Sequence, residues 1–587
     1  MPASRRRRIV LAGSLTAVLV LVSSVAWSAH LALGVRDHLQ ATRDALVHLR
    51  AVMSARDLDR VTATITKARR HAAEARRLTA GPDWGLLTHL PVVGDGATTV
   101  RGLAESAGEL TDVLAGVQRA GTSLFSSGER APDDARQLLD GLAAVAPALD
   151  VATARLGRAH DRLSATPART GAASVDQARE AVLTELVRLR RWVGGAADAA
   201  ALIPPMLGND GPRRYFLAFQ TNAESRGTGG LVGAFGILSA DHGRTRVTQL
   251  AANNDLPGST RPVIDHGRAF RTRYGEGPLE VLSVSNLSPH FPYAAKTWTA
   301  MWQANGGPRL DGAIAVDPVA LSYLLGLIGP VTLPGGEKVT AANVVDLTER
   351  AAYARYPDSA ERKRFLISIA RAVGEALPRS FAEPARLLPA LKPMIEGRRL
   401  QIWSRHQAEQ WRLAGTALGG VLPQDAGPYA ALVLNNSAGG KLDYYLSRSL
   451  DYRLGPCRSG RRADSVQITL TNDVPVTRLP SYVTGRLDRL AEGKPVGSNL
   501  LWVSLYASVG AELRGASLDG AKAEIRADVE RSHPVFSTLV ELGPRQTRTL
   551  RLELSEPASA EPPRTPVQPL ARPQRTRVSQ DPQGCAP

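Results

Sequence analysis

Residues 213–238, RRYFLAFQTNAESRGTGGLVGAFGIL, narrow the folds open to this chain more than any other stretch. Residues 215–220 predict a buried strand, and residues 231–238 predict a second one that carries glycines. Between them Asn222, Glu224 and Arg226 precede a Gly227-Thr228-Gly229-Gly230 turn. Polar and charged side chains beside a glycine turn are a poor way to build a core. They are a reasonable way to build a site, because glycine lets a ligand reach the backbone and leaves amides free to donate. Two readings stay open: an anion-accepting turn at Gly229 and Gly230, or a plain hairpin in which Glu224 and Arg226 pair at the surface. GTGGLVG approaches the dinucleotide fingerprint, but its spacing is wrong and a strand follows instead of a helix, which excludes a Rossmann site.

A chain of 587 residues has room for three or more cores, and 43% apolar with 22% charged residues is ordinary for folded protein. The net charge of +17 favours anionic partners such as lipid headgroups, polyphosphates or wall polymers. Location separates these. Arg5 to Arg8 form a basic block, and residues 9–33 are uncharged and mostly apolar, about 37 Å as a helix. The expectation is a retained single-pass helix in the plasma membrane, with the basic tail (1–8) in the cytoplasm and the bulk outside. A signal peptide cut near Ser24-Val25-Ala26 competes with it. Either way the bulk is extracytoplasmic, which argues against nucleic acid as a partner. Cys457 and Cys585 fit neither a zinc motif nor CxxC. In an oxidising compartment they could bond and tie the C-terminus to the body, two free thiols being the alternative.

The expected fold class is therefore multidomain. After the transmembrane helix (9–33), residues 34–203 carry helical stripes such as Leu58, Val61, Ile65, Ala68 and Ala72, broken at Gly81-Pro82 and Leu90-Pro91, and predict a helical bundle or hairpins. Residues 204–400 alternate short apolar runs with helical stretches, as an α/β domain does. One strand is expected at Asp311 to Asp317, with Pro318 opening a helix behind it. Residues 401–555 predict a β-sandwich-like module, with strands at 429–434, 444–454, 464–472, 500–508, 523–529 and 548–554. Residues 556–587, rich in proline, predict a flexible tail.

Asn222-x-Glu224-x-Arg226-Gly-Thr-Gly-Gly resembles a signature of the bacterial domain-of-unknown-function 4012 family. So do Asn286-Leu-Ser-Pro-His-Phe-Pro292, Asp311-Gly-x-Ile-x-Val-Asp317, Leu327-Ile-Gly-Pro330 and Gly440-Lys441-Leu-Asp-Tyr-Tyr445. That resemblance implies an architecture and no reaction. More distantly, the middle domain resembles the LytR-CpsA-Psr cell-envelope transferases. The likeness runs through Arg226 before its strand, Asn253-Asn254-Asp255 after the next, Ala294 to Gly307, Asp311 to Leu333, and Ala352-Tyr353-Ala354-Arg355-Tyr356 followed by Asp358, Arg362 and Arg364. It implies a protein that takes a glycopolymer from a polyprenyl pyrophosphate carrier. Arg226, Arg355, Arg362 and Arg364 would hold the pyrophosphate, and Asp255 would hold Mg²⁺, with Glu224 as a second ligand at a shifted register. Thr228-Gly229 stands where another metal-binding aspartate is expected.

Glu361-Arg362-Lys363-Arg364 supports an anion site independently, because basic residues misfit a helix's positive end unless an anion sits there. A solvated arginine-rich helix is the alternative. Three functions remain open: a Mg²⁺-dependent polymer transferase, a non-catalytic binder of lipid-linked or wall glycopolymer, and a structural or partner-binding envelope protein. No GxSxG, HExxH or Walker A spacing adds another class. Oligomeric state is not legible.

Overall fold

The computed structural model describes residues 30–49, 58–125, 135–376, 391–475 and 479–581. It divides into two compact units, Met1–Pro205 and Met206–Pro587. The expected fold class is corrected in its first member: among the described residues, no helix is long and apolar enough to cross a membrane. Residues 9–29 of the expected span, and the basic tail before them, lie outside the described residues.

The first unit is helical. Leu58–Ala80, Gly94–Phe125, Ala135–Ser164 and the helix that begins at Ala173 follow the predicted stripes, and Gly81-Pro82 opens the short helix Pro82–Leu87. Leu103, Leu110, Leu149, Leu156, Leu163 and Leu186 meet in its core. Helices with one apolar face need a partner face to be stable, and these cover one another.

The second unit starts from a five-stranded sheet. β1 (Arg213–Arg226), β2 (Gly229–Asp241), β3 (Arg244–Ala252) and β4 (Gly312–Val316) are joined, past the ribbon β5 (Val331–Thr332) and β6 (Lys338–Val339), by β7 (Leu400–Ser404). Strand order is β3-β2-β1-β4-β7. β1 runs parallel to β4 and all other neighbours are antiparallel. Alternation along β1 sends Phe216 and Ala218 to one face, against Trp298 and Met301 of helix Phe291–Ala304. Leu217 and Phe219 go to the other, against helices Pro318–Ile328 and Ser359–Ala376. Pro318 opens its helix as expected: Asp317 caps it by accepting from the Ala320 amide at 2.8 Å.

β8 (Ala430–Asn436) to β18 (Gln574–Gln580) form two more sheets. One has the order β15-β16-β12-β8, from Arg526–Glu530, His533–Leu542, Asn499–Ala507 and β8. The other runs β14-β13-β17-β11-β9-β18, from Ala521–Lys522, Glu512–Leu518, Thr547–Pro557, Arg461–Asn472, Leu446–Leu454 and β18, with β10 (Cys457–Arg458) beside β11. Leu434, Leu501, Val503, Leu505 and Val540 from the first interleave with Leu450, Val466, Ile468, Leu550 and Leu552 from the second, making a sandwich.

Three boundaries differ from the sequence reading. β7 carries the central sheet past residue 400, and Met206–Pro587 is one compact unit instead of two modules. β1 runs on through Arg226, so Asn222, Glu224 and Arg226 belong to the strand itself and not to a stretch between it and the turn. Residues 556–581 are ordered, because β18 pairs in parallel with β9. Cys457 is disulfide-bonded, and Cys585 lies outside the described residues.

Candidate functional site

The polar half of β1 is buried. Asn222, Glu224, Ser225 and Arg226 are each at most 5% exposed, in a strand whose register against β2 shifts between Thr221 and Ser225. Buried charge persists only when paired and hydrogen-bonded. Arg226 Nη2 donates to Glu224 Oε1 at 2.6 Å, and Lys441 Nζ donates to Glu224 Oε2. Arg226 also donates to the carbonyls of Ser225 and Ser283, at 2.8 and 3.2 Å. Burial pushes the Glu224 carboxyl up, but Lys441 and Arg226 outweigh it and hold it below its ordinary value.

Asp443 completes the cluster from the sandwich side. It accepts from the Ser225 amide and hydroxyl, both at 2.7 Å, from Asn436 at 3.0 Å and from Asn499 at 2.6 Å. Burial still pushes its carboxyl up. Glu349, in a π-helical turn at Leu347–Ala351, accepts from the Ala223 amide at 2.5 Å and from the Thr221 hydroxyl at 2.9 Å. Its other oxygen is buried without a donor, and burial raises its carboxyl to about 7 despite those bonds.

This arrangement does not hold Mg²⁺ on Glu224 and Asp255. Both Glu224 oxygens face cations. Asp255 sits on an exposed turn, Asn253–Asp255, where it accepts from the Ala252 amide at 2.9 Å. Among the described residues no group of three or more His, Cys, Asp or Glu is placed to hold a metal. The glycines serve the backbone. A side chain at Gly230 would come within 2.0 Å of the Thr221 carbonyl, and one at Gly227 within 2.1 Å of the Leu287 carbonyl. Gly229 has φ +140°, and the Gly230 amide donates to Gln220 at 3.3 Å.

The four arginines do not converge as free donors. Arg226 is held as above. Arg355 pairs with Glu337 at 2.6 Å on the surface. Arg362 is buried, donates to the Tyr356 and Pro357 carbonyls, and lies 3.9 Å over the Tyr482 ring. Arg364 is exposed and has no ion pair among the described residues. The helix they open is already capped, since Asp358 accepts from the Glu361 amide at 2.8 Å. His290 is structural: its Nδ1 accepts from the Leu422 amide, and burial holds its pKa well below the ordinary value.

An apolar cleft lies on the other side of the sheet. Phe219, Gly233, Ala234, Leu321, Leu366 and Ile367 line it together with Thr348 and Lys363, and it encloses about 570 Å³, the solvent at its mouth included. Small residues on β2 leave this space unfilled. Gly233 and Ala234 are the signal the sequence offers, because a strand interior with little side chain marks close approach of something else. Lys363 is hidden in the sequence by its arginine neighbours.

No curated protein matches this chain. Among solved structures, a candidate nutrient binding protein from Legionella pneumophila shares 8% identity over 23% of this chain and 44% of its own, with a TM-score of 0.15. Residues 210–353, which carry β1 to β6 and Glu349, match the model of a family described as a protein of unknown function, DUF4012.

Proposed function

We propose that this protein binds a single-chain lipid phosphate of the polyprenyl phosphate class, free or carrying a glycopolymer. The chain lies in the cleft and the phosphate sits by Lys363 and Arg364. The observation that carries this is the cleft itself: an apolar wall between sheet and helix with one ammonium group in its lining. A mobile isoprenoid gains most from such a wall, and a phosphate monoester from a cation at its end. The distant likeness to the LytR-CpsA-Psr transferases points to the same class of carrier. Such carriers belong to the cell envelope, so the reading places this unit outside the cytoplasm.

The reading is one of binding. The cleft lining holds no carboxylate, histidine or cysteine to activate an acceptor, and no transfer step follows from it. A purely structural role is the second reading, favoured by the saturation of Arg226, Arg355 and Arg362 by protein groups.

The test is equilibrium binding of a fluorescent polyprenyl phosphate to the full chain in detergent. Saturable binding is expected, about tenfold weaker in Lys363→Glu and lost in Ile367→Trp, which fills the cleft, with unfolding midpoints little changed. Equal binding by all three proteins, or none by the wild type, sinks the reading and leaves the structural one.

A further inference from the structure

The helical unit carries an apolar tip. Residues 84–94, WGLLTHLPVVG, connect the helices Pro82–Leu87 and Gly94–Phe125 and hold no Asp, Glu, Lys or Arg, in a chain where 22% of residues are charged. Leu86 is 71% exposed, Leu90 49%, Val92 86% and Val93 48%. Single aliphatic side chains in water are ordinary, but a group of them at one tip marks contact with something apolar. The tip is held in this form. Trp84 is buried and its indole N–H donates to the Ala97 carbonyl at 3.0 Å. The amides of Thr88, His89, Leu90 and Gly94 donate to the carbonyls of Trp84, Leu86, Leu87 and Leu90, at 3.3, 3.1, 3.2 and 2.9 Å. A Cβ at Gly94 would come within 2.6 Å of the Thr88 carbonyl, so the loop closes as tightly as glycine allows. With these amides paired inside the loop, the tip gives up few hydrogen bonds on leaving water.

Where the described chain begins indicates what covers this tip. Leu31 and Val35, in the helix over 30–49, pack with Trp84 and Leu87, so residue 30 stands at the same end of the unit. Residues 9–29, uncharged and mostly apolar in sequence, join the unit there. Such a run and an aliphatic tip both gain from leaving water, and one apolar phase at this end serves both. A protein partner is the weaker fit, because binding hot spots draw on Trp, Tyr and Arg, and residues 84–94 expose none of these. The net charge of +17 selects an anionic boundary for that phase. We infer that residues 84–94 form a bilayer-contacting loop, which lowers Leu86, Leu90, Val92 and Val93 into the boundary between the headgroups and acyl chains of an anionic lipid surface. The cleft belongs to the other unit, and this contact stands whether or not that cleft takes a lipid.

The experiment places a polarity-sensitive fluorophore on Val92→Cys in the full chain, with vesicles of phosphatidylcholine and phosphatidylglycerol in equal parts. Cys457 is disulfide-bonded, and the wild type carried through the same labelling supplies the background. Emission at position 92 should shift to the blue when vesicles are added and be quenched by nitroxide-bearing lipid. The same label on Asp59→Cys, at the far end of the helix Leu58–Ala80 and about 34 Å along it, should stay in water. Leu86→Asp with Leu90→Asp should return the label at position 92 to water and leave the unfolding midpoint little changed, because both side chains stand largely at the surface. The inference is overturned if position 92 stays in water, if position 59 responds equally, or if the double variant responds as its parent does. A blue shift without vesicles also overturns it: one that grows with protein concentration assigns the tip to a second copy, and one that does not assigns it to another part of this chain.

Discussion

Glu224 is held by two cations at once, Arg226 two residues along the same strand and Lys441 from beyond β8. Removing one partner of a buried pair leaves a desolvated charge behind. Lys441→Met leaves Glu224 its pair with Arg226 but one oxygen without a donor, and should cost about 1–3 kcal/mol in urea unfolding; Glu224→Gln added to it should cost more, because Arg226 then loses its carboxylate. Glu349 sets a pH dependence. Its carboxyl titrates near 7 when folded against an ordinary 4.5, so the folded protein keeps a proton that the unfolded chain releases between those values. The stability it contributes is full below pH 4.5 and fades as pH climbs to about 7, roughly 3 kcal/mol in all. Unfolding midpoints measured across that window should fall less steeply in Glu349→Gln than in the wild type, and parallel curves would contradict the assignment. In sequence, Glu224 and Arg226 look like a site or a surface pair. Alternate spacing of Asn222, Glu224 and Arg226 is readable as strand, but nothing local announces a lysine 217 positions away.

The strands that are legible owe it to alternation. In β9 the residues Leu446, Arg448, Leu450, Tyr452 and Leu454 are buried and those between them are not, which is the period-2 pattern the sequence shows. β18 has no such pattern, being largely exposed with Val578 as its one aliphatic residue, and the prolines before it imitate a linker. Those prolines lead into contact instead. Gln568, at 5% exposure, bridges the edge of β8 by accepting from the Leu434 amide at 2.9 Å and donating to the Leu434 carbonyl at 2.8 Å. The same side-chain nitrogen donates to the Arg226 carbonyl at 2.6 Å, so this connection reaches β1. Gln568→Ala should lower stability by about 1–3 kcal/mol, and residues 558–581 should resist limited proteolysis in the wild type and become cleavable in that variant.

At the largest scale the chain has two separate sets of cores, one of helices and one shared by a three-layer α/β body and a sandwich. Units with separate cores unfold separately unless their interface is large. Lys441→Met should accordingly shift one calorimetric transition and leave another, that of the helical unit, where it was; a single transition moving as a whole would show that the two are coupled. The division at about residue 205 is visible from composition, since periodic Ala/Leu/Arg helices give way there to short apolar runs and glycines. The unity of residues 206–587 is not, because the bonds that join sheet to sandwich come from single polar residues hundreds of positions apart.

Those distances have a consequence in time. β1 is among the first parts of its unit to leave the ribosome, yet its charged half is completed by Lys441, Asp443 and Gln568. Until these emerge, Glu224 lacks its second cation, the Ser225 amide its acceptor and the Arg226 carbonyl its donor, so the buried half of β1 is completed only after Gln568 has been made.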